Sequence, residues 1–327
     1  MHSIQHYQDL INAELNCRLE RIDEPKGLYE PCKYILRNGG KRVRASLVML
    51  AAKMFSPRYE RAIPVALAFE TFHNFTLIHD DIMDEALIRR NQPCVHVKWN
   101  TNTAILSGDA VMILAYTFFE EAREYITAIL PLLNKTALEV CEGQQYDIDL
   151  EQALLTDALT NEAMYIRMIE LKTSVLLAAC LKAGAVVGGA SASDADKLYE
   201  IGRNIGIAFQ LQDDILDTYG NVETFGKKIG GDIAENKKTY LVIAALQNLN
   251  EGDTQELMRL YAQKTDSAEK YTAVRALFDK AQVLEKANAT MNVLYEKAYT
   301  ILDSLSLAEV KKTELRTFID ELRTREL

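Results

Sequence analysis

Apolar residues recur at three- and four-residue spacing along almost the whole chain, and runs of strict apolar–polar alternation bounded by turn residues are missing. The pattern predicts an all-α protein. Helices are expected over residues 3–20, 27–37, 41–55, 61–85, 103–123, 131–147, 161–187, 194–219, 237–248, 254–264, 268–280, 283–302 and 307–325. The interruptions at 39–40, 89–102, 188–189 and 220–231 are expected to be loops, and three of these four carry or adjoin clustered Lys or Arg. Pro64 and Pro131 fall near predicted helix starts, where a missing amide proton costs least. Ser193 is placed to cap the helix that follows it. No repeat of fixed period and no linker rich in Pro, Gly or Ser divides the chain, so one domain over residues 1–327 is the simplest organisation.

Composition sharpens this picture in three respects. Only 6 Pro and 15 Gly among 327 residues leave room for long uninterrupted helices. A net charge of −10 argues against a broad nucleic-acid or anionic-membrane surface, so an anionic ligand must meet a local basic cluster or a bridging metal. The five cysteines are scattered and form no C-x-x-C pair, which suggests neither a disulfide framework nor a zinc site and fits a reducing cytoplasm. The amino-terminal residues MHSIQHYQDL lack the basic and apolar regions of a secretory signal, so export is not expected. The most apolar run, 175–187, is interrupted by Lys182 and falls short of the ~20 residues that span a bilayer. A buried helix is expected there, and not an integral membrane protein.

Against this background, two aspartate clusters stand out, Asp80-Asp81-Ile82-Met83-Asp84 and Asp213-Asp214-Ile215-Leu216-Asp217, each closing a largely apolar helix. On a helical wheel Asp80 and Asp84 lie about 40° apart, and Gln210, Asp214 and Asp217 share a similarly narrow face. Carboxylates gathered on apolar helices repel one another and resist burial unless a cation compensates them. Mg²⁺ suits the pattern, since it takes a few carboxylates and completes its shell with water and phosphate oxygens; a calcium-binding D-x-[DN]-x-[DN]-G loop is missing. Gly39-Gly40-Lys41-Arg42-Val43-Arg44 brings three cations to a helix start, where the dipole disfavours them and an anion would explain them. Arg89-Arg90 follows the first aspartate cluster; Lys227-Lys228 and Lys237-Lys238 follow the second. Metal on one side and Lys or Arg on the other would clamp a diphosphate and stabilise it as a leaving group. His73, seven residues before Asp80 and so about 20° away on the wheel, faces the same way. Taken singly, each basic pair would more often be a solvated face and each histidine a structural one.

With these motifs in family order, the chain resembles a trans-isoprenyl diphosphate synthase, of the polyprenyl synthetase family of class I terpenoid synthases. The likeness runs from Gly39-Gly40-Lys41-Arg42 through Phe72-His73-Asn74-Phe75-Thr76-Leu77-Ile78-His79-Asp80-Asp81 and Phe209-Gln210-Leu211-Gln212-Asp213-Asp214 to Lys237-Lys238-Thr239-Tyr240. The resemblance implies a helical bundle around a central prenyl-binding cavity, in which Lys41, Arg44, His73 and Arg90 hold isopentenyl diphosphate. It implies that Arg89, Lys172, Thr173, Gln210, Lys227 and Lys237 meet the allylic diphosphate or its developing cation, Lys172, Thr173 and Gln210 being the catalytic set. The carboxylates Asp80, Asp81, Asp84, Asp213, Asp214 and Asp217 would hold Mg²⁺, up to three ions. The implied reaction ionises the allylic C–O bond, adds the isopentenyl double bond to the cation and loses a proton, for which the departing diphosphate can serve as acceptor. A cytoplasmic homodimer is implied, with residues 103–123 or 131–147 at the interface.

Product length in this family depends on side chains before the first aspartate cluster, here Phe72, Phe75 and Thr76. A bulky Phe75 implies an early floor and a C15 or C20 product. Two departures from the family pattern stand beside the arginine pair: Asn91 where glycine is usual, and Cys94 where threonine is common. Asn tolerates left-handed backbone conformations. The competing readings are a terpene cyclase, which typically carries one D-D-x-x-D, and a non-catalytic regulatory subunit, which would be expected to lose metal carboxylates that this chain keeps.

Overall fold

The computed structural model describes residues 4–220 and 229–324 and is almost wholly helical. The helices are α1 (Gln5–Leu19), α2 (Lys26–Arg37), α3 (Val43–Phe55), α4 (Ile63–Met83), α5 (Val95–Lys98), α6 (Thr101–Phe118), α7 (Ile126–Gln152), α8 (Glu162–Ile169), α9 (Val175–Gly188) and α10 (Ala192–Tyr219). They continue as α11 (Gly231–Ala234), α12 (Tyr240–Asn248), α13 (Glu251–Tyr261), α14 (Ala268–Lys280), α15 (Val283–Asp303) and α16 (Glu309–Arg323). The all-α expectation holds.

The contacts divide the chain into two compact units. One draws on residues up to Asn134 with Ala179–Tyr199 and Leu305–Phe318; the other on Lys135–Ala178, Glu200–Ser304 and the chain from Ile319 onward. In the first, α4 packs on α3 and α6. Its residues Val65 to Phe69 are fully buried, as befits a helix that is apolar nearly all round. In the second, α12 is buried from Tyr240 to Ala245 and packs on α15 and α8.

Several sequence expectations are corrected at helix ends. α10 is capped by Ser191, whose Oγ accepts from the Asp194 amide at 3.1 Å, two residues before the expected Ser193. α7 begins at Ile126, so Pro131 sits inside it. Lys237 and Lys238 precede α12 instead of opening it, and α13 starts at Glu251. One feature had no counterpart in the hydrophobic pattern: a two-residue hairpin pairs Ile88 with Pro93 and Arg89 with Gln92. Its loop residues Arg90 (φ 53°) and Asn91 (φ 60°) are both left-handed, the signature of a type I′ turn. Asn91 thus adopts the backbone that a glycine would.

A second correction concerns length. The apolar run 175–187 is the end of one continuous helical stretch, Glu162–Gly188, of 27 residues, joined through a π turn at Glu170–Ser174. It is long and apolar enough to cross a membrane, as is Thr101–Gln152, so length alone does not decide the matter. What distinguishes Glu162–Gly188 is that 72% of its most apolar window is buried within the protein, as in a core helix.

Candidate active site

In the first unit α4 carries His73 and the first aspartate cluster, and ends at Met83 with Asp84 as its cap residue. The three aspartates are not equivalent. Asp81 is 1% exposed and its Oδ1 accepts from Arg89 Nε at 2.6 Å. The buried Cys94 thiol lies against the same carboxylate; burial first, then Asp81, pushes it up to about 12. Asp80 is half-buried and Asp84 exposed.

Arg44, Arg90 and Arg89 lie near enough to His73 to act on it, whereas Arg42, whose effect is the smallest of the four, is drawn into the interior. Arg42, left-handed at φ 41°, turns inward: its Nε donates to Asn12 Oδ1 at 2.9 Å and its Nη1 lies 3.4 Å from Glu70 Oε1. Glu70 is also buried, and accepts from the Ala45 amide at 3.4 Å. Arg90 Nη1 donates to the Gly39 carbonyl at 2.6 Å, and its guanidinium lies flat against Gly40. Burial lowers the pKa of both Arg44 and Arg90, an effect that Glu70 opposes. Burial, then Arg44, Arg90, Arg89 and Arg42, holds His73 well below its ordinary value, so it is a neutral imidazole at pH 7. Lys41 is exposed beside this group. Arg44, Arg89 and Arg90 around one neutral histidine suit an anion, with two buried carboxylates in the same cluster, Asp81 on Arg89 and Glu70 on the inward-turned Arg42.

The geometry of the hairpin yields a direct test. Asn91→Val puts a β-branched residue in a left-handed turn position, which costs about 1–3 kcal/mol locally. We expect it to displace Arg90 from Gly39 and to weaken binding of inorganic diphosphate by about tenfold. Asn91→Gly should bind as the parent does. Calorimetric titration of the two variants makes the comparison.

In the second unit the aspartates divide in the same way. Asp214 is 4% exposed: the Tyr165 hydroxyl donates to its Oδ2, Gln210 Nε2 donates to its Oδ1 at 3.4 Å, and the Tyr240 amide donates to Oδ2 at 3.4 Å. Burial, then the charge of Asp232, raises Asp214 well above the usual carboxylate range. The same two causes push Asp217 up to about 6, although its Oδ2 accepts from the Asp232 amide at 3.0 Å. Asp232 sits in α11, fifteen residues after Asp217 in sequence, and nothing in its local pattern marks it. Lys237 pairs with it at 3.5 Å and with Glu235 at 3.0 Å.

Lys172 and Thr173 lie on the π turn, and π turns inside α-helices are frequent at functional sites. Lys172 Nζ donates to Asp147 Oδ2 at 2.5 Å. One turn before Asp147, Gly143 touches the π turn directly: a Cβ there would stand 2.2 Å from the Lys172 backbone nitrogen. The bulged backbone and its lysine are therefore clamped from the same face of α7. Lys227 and Lys228 lie outside the described residues.

Both aspartate clusters occupy the C-terminal ends of long helices, where the backbone carbonyls already concentrate negative charge. The charge of Asp232 raises the cost of ionising Asp217, and Lys237 offsets part of it. All-oxygen donors at the two helix ends, Asp84 exposed and Asp80, Asp213 and Asp217 half-buried, suit a hard divalent ion that keeps water and phosphate ligands.

Comparison with known proteins bears on the whole chain. A family model described as polyprenyl synthetase matches residues 25–278. The geranylgeranyl diphosphate synthase of Methanosarcina mazei is 43% identical over 229 residues, 69% of each chain. A crystal structure of a geranylgeranyl pyrophosphate synthase superposes with a TM-score of 0.90 at 38% identity, covering 98% of this chain and 99% of that one. A polyprenyl synthase from Caulobacter crescentus, solved with calcium and isoprenyl diphosphate, superposes with a TM-score of 0.86 at 25% identity, covering 100% and 98%.

Proposed function

The chain belongs to the polyprenyl synthetase family, and from that premise we propose that it condenses isopentenyl diphosphate with dimethylallyl, geranyl or farnesyl diphosphate. The product is a C15 or C20 prenyl diphosphate, and diphosphate is released. The observation that carries this reading is the pair of carboxylate sets at two helix C-termini, Asp80 with Asp84 and Asp213 with Asp217, each in the same unit as cationic side chains that suit phosphate. Magnesium bound by these carboxylates, up to three ions, would supply charge neutralisation of the departing diphosphate. Asp81 and Asp214 we assign to orienting their neighbours, through Arg89 in one cluster and through Tyr165 and Gln210 in the other.

Lys41, Arg44, His73 and Arg90 hold isopentenyl diphosphate; neutral His73 donates one hydrogen bond without adding charge. Arg89, Lys172, Lys227 and Lys237 meet the allylic diphosphate. Thr173 and Gln210 aim oxygen dipoles at the developing cation in a site that excludes water. Phe72, Phe75 and Thr76 end the product. We read the whole chain as one polyprenyl synthetase domain acting as a homodimer: α6 leaves Ile105, Leu106 and Ile113 exposed, which suits burial against a second copy. Five free thiols fit a cytoplasmic protein that binds neither nucleic acid nor membrane core.

The test is incubation of purified protein with radiolabelled isopentenyl diphosphate and each allylic primer, with Mg²⁺ or EDTA, followed by chain-length analysis. Mg²⁺-dependent C15 or C20 product is expected. Absence of elongation with every primer overturns the reading in favour of a cyclase or a regulatory subunit.

A further inference from the structure

The helix that bears the first aspartate cluster has two distinct faces. His73, Thr76 and Asp80 share one; Phe72, Phe75 and His79 share another, about 100° around the wheel. On that second face the rings touch in series: Phe72 to Phe75 at 5.6 Å between centroids, and Phe75 to His79 at 4.8 Å in an edge-on arrangement. Phe72 is buried and fixes one end of the row. The other end is fixed by α6. His79 Nε2 lies 3.4 Å from the Ile105 carbonyl oxygen and 3.7 Å from Asp109 Oδ1, so the ring is seated against α6. Between those two residues, Gly108 has no room for a side chain: a Cβ would stand 2.3 Å from His79 Nε2 and 2.5 Å from its Cδ2. The imidazole occupies the space that any other residue at 108 would fill.

We propose that His79 and Gly108 are positioning residues for product length, acting through Phe75. Phe75 is only half-buried, so its ring is not confined by packing alone. Held between Phe72 and an imidazole locked on α6, it keeps one rotamer and ends the growing prenyl chain at a fixed depth. Without the imidazole the ring is free to swing, and the floor opens. This rests on the reading of the chain as a prenyl diphosphate synthase and of Phe75 as part of its floor.

The experiment compares product-length distributions of the full-length protein and three single variants, His79→Ala, His79→Phe and Gly108→Ala, with the double variant His79→Ala/Gly108→Ala. His79→Ala and Gly108→Ala should each raise the ratio of longer to parent-length product by about 2- to 10-fold, the scale of one lost aromatic pair. His79→Phe keeps a ring against Phe75 but loses the Nε2 contacts to α6, and should shift the distribution less than His79→Ala does. Because Gly108 matters only for the space it leaves the imidazole, the double variant should match His79→Ala alone. Parent-like distributions in both His79→Ala and Gly108→Ala overturn the proposal, as do effects that add in the double variant. Should Gly108→Ala fail to fold, the two His79 variants still decide it. A parent protein that elongates no primer overturns the synthase reading itself, and the inference falls with it.

Discussion

Alanine at Asp80 or at Asp213 is expected to lower condensation by about 10³-fold or more while leaving the folded state as stable as the parent or slightly more so. On the proposed reading, Asp80 and Asp213 would help hold the cation that neutralises the departing diphosphate, a class of interaction worth hundreds- to thousands-fold in rate. The stability gain has a separate cause. Asp80 stands four residues before Asp84 and Asp213 four before Asp217, like charges on adjacent turns that destabilise a helix by about 0.2–0.5 kcal/mol per pair. Asp80 also lies in the last turn of α4, where the dipole disfavours an anion. Most inactivating substitutions destabilise; these should not. Turnover and thermal midpoint measured on the same preparations are the check, and unchanged turnover in either variant would refute the metal assignment.

Glu70→Ala should produce the largest loss of stability of any single charge removal in the first unit. Glu70 and Arg42 are both about 2% exposed at the side chain and lie 3.4 Å apart, so truncating one strands the other. Breaking a buried pair costs about 3–5 kcal/mol, because an uncompensated charge is left in low dielectric. For a chain of this size the thermal midpoint should fall by on the order of 10 °C. Glu70→Gln separates the two roles of the residue: it keeps polar contacts to Arg42 and the Ala45 amide but removes the negative charge behind Arg44 and Arg90. That variant should unfold earlier than the parent yet bind inorganic diphosphate at least as tightly, since the anion site becomes more positive. A midpoint within about 2 °C of the parent for Glu70→Ala would show the pair to be energetically idle.

What could be read from the sequence, and what could not, divides along the range of the interactions involved. The helices and the two aspartate clusters are local patterns, and they were legible. Glu70 could have been found: it is the one formal charge in Ile63 to Thr76, a stretch apolar apart from it, Thr71, His73, Asn74 and Thr76. A lone carboxylate in such a run asks for a buried cation. The distinction between Asp80 and Asp81, or Asp213 and Asp214, was not visible, because adjacent residues differ by 100° on the helix and only the packed neighbours, Arg89 and Tyr165, show which one points inward. Asp232 meets Asp217 across fifteen residues of sequence, and the π turn at Glu170–Ser174 has no compositional mark. Both depend on contacts far apart in sequence. The hairpin at Ile88–Pro93 escaped because strands of two residues have no period to detect.

The crowding of Arg44, Arg89 and Arg90 around His73, backed by Glu70 and Asp81, would also govern how an anionic substrate arrives. The chain as a whole carries a net charge of −10. A diphosphate in bulk water therefore meets a repulsive far field, and the attraction of the guanidinium cluster extends over roughly one screening length, about 8 Å at physiological ionic strength. Capture is a near-field event: encounters are not steered from a distance, and discrimination between anions begins only once a molecule has diffused to the rim. Ionic strength then acts with opposite sign at the two ranges, easing the approach of an anionic substrate while weakening its grip on arrival.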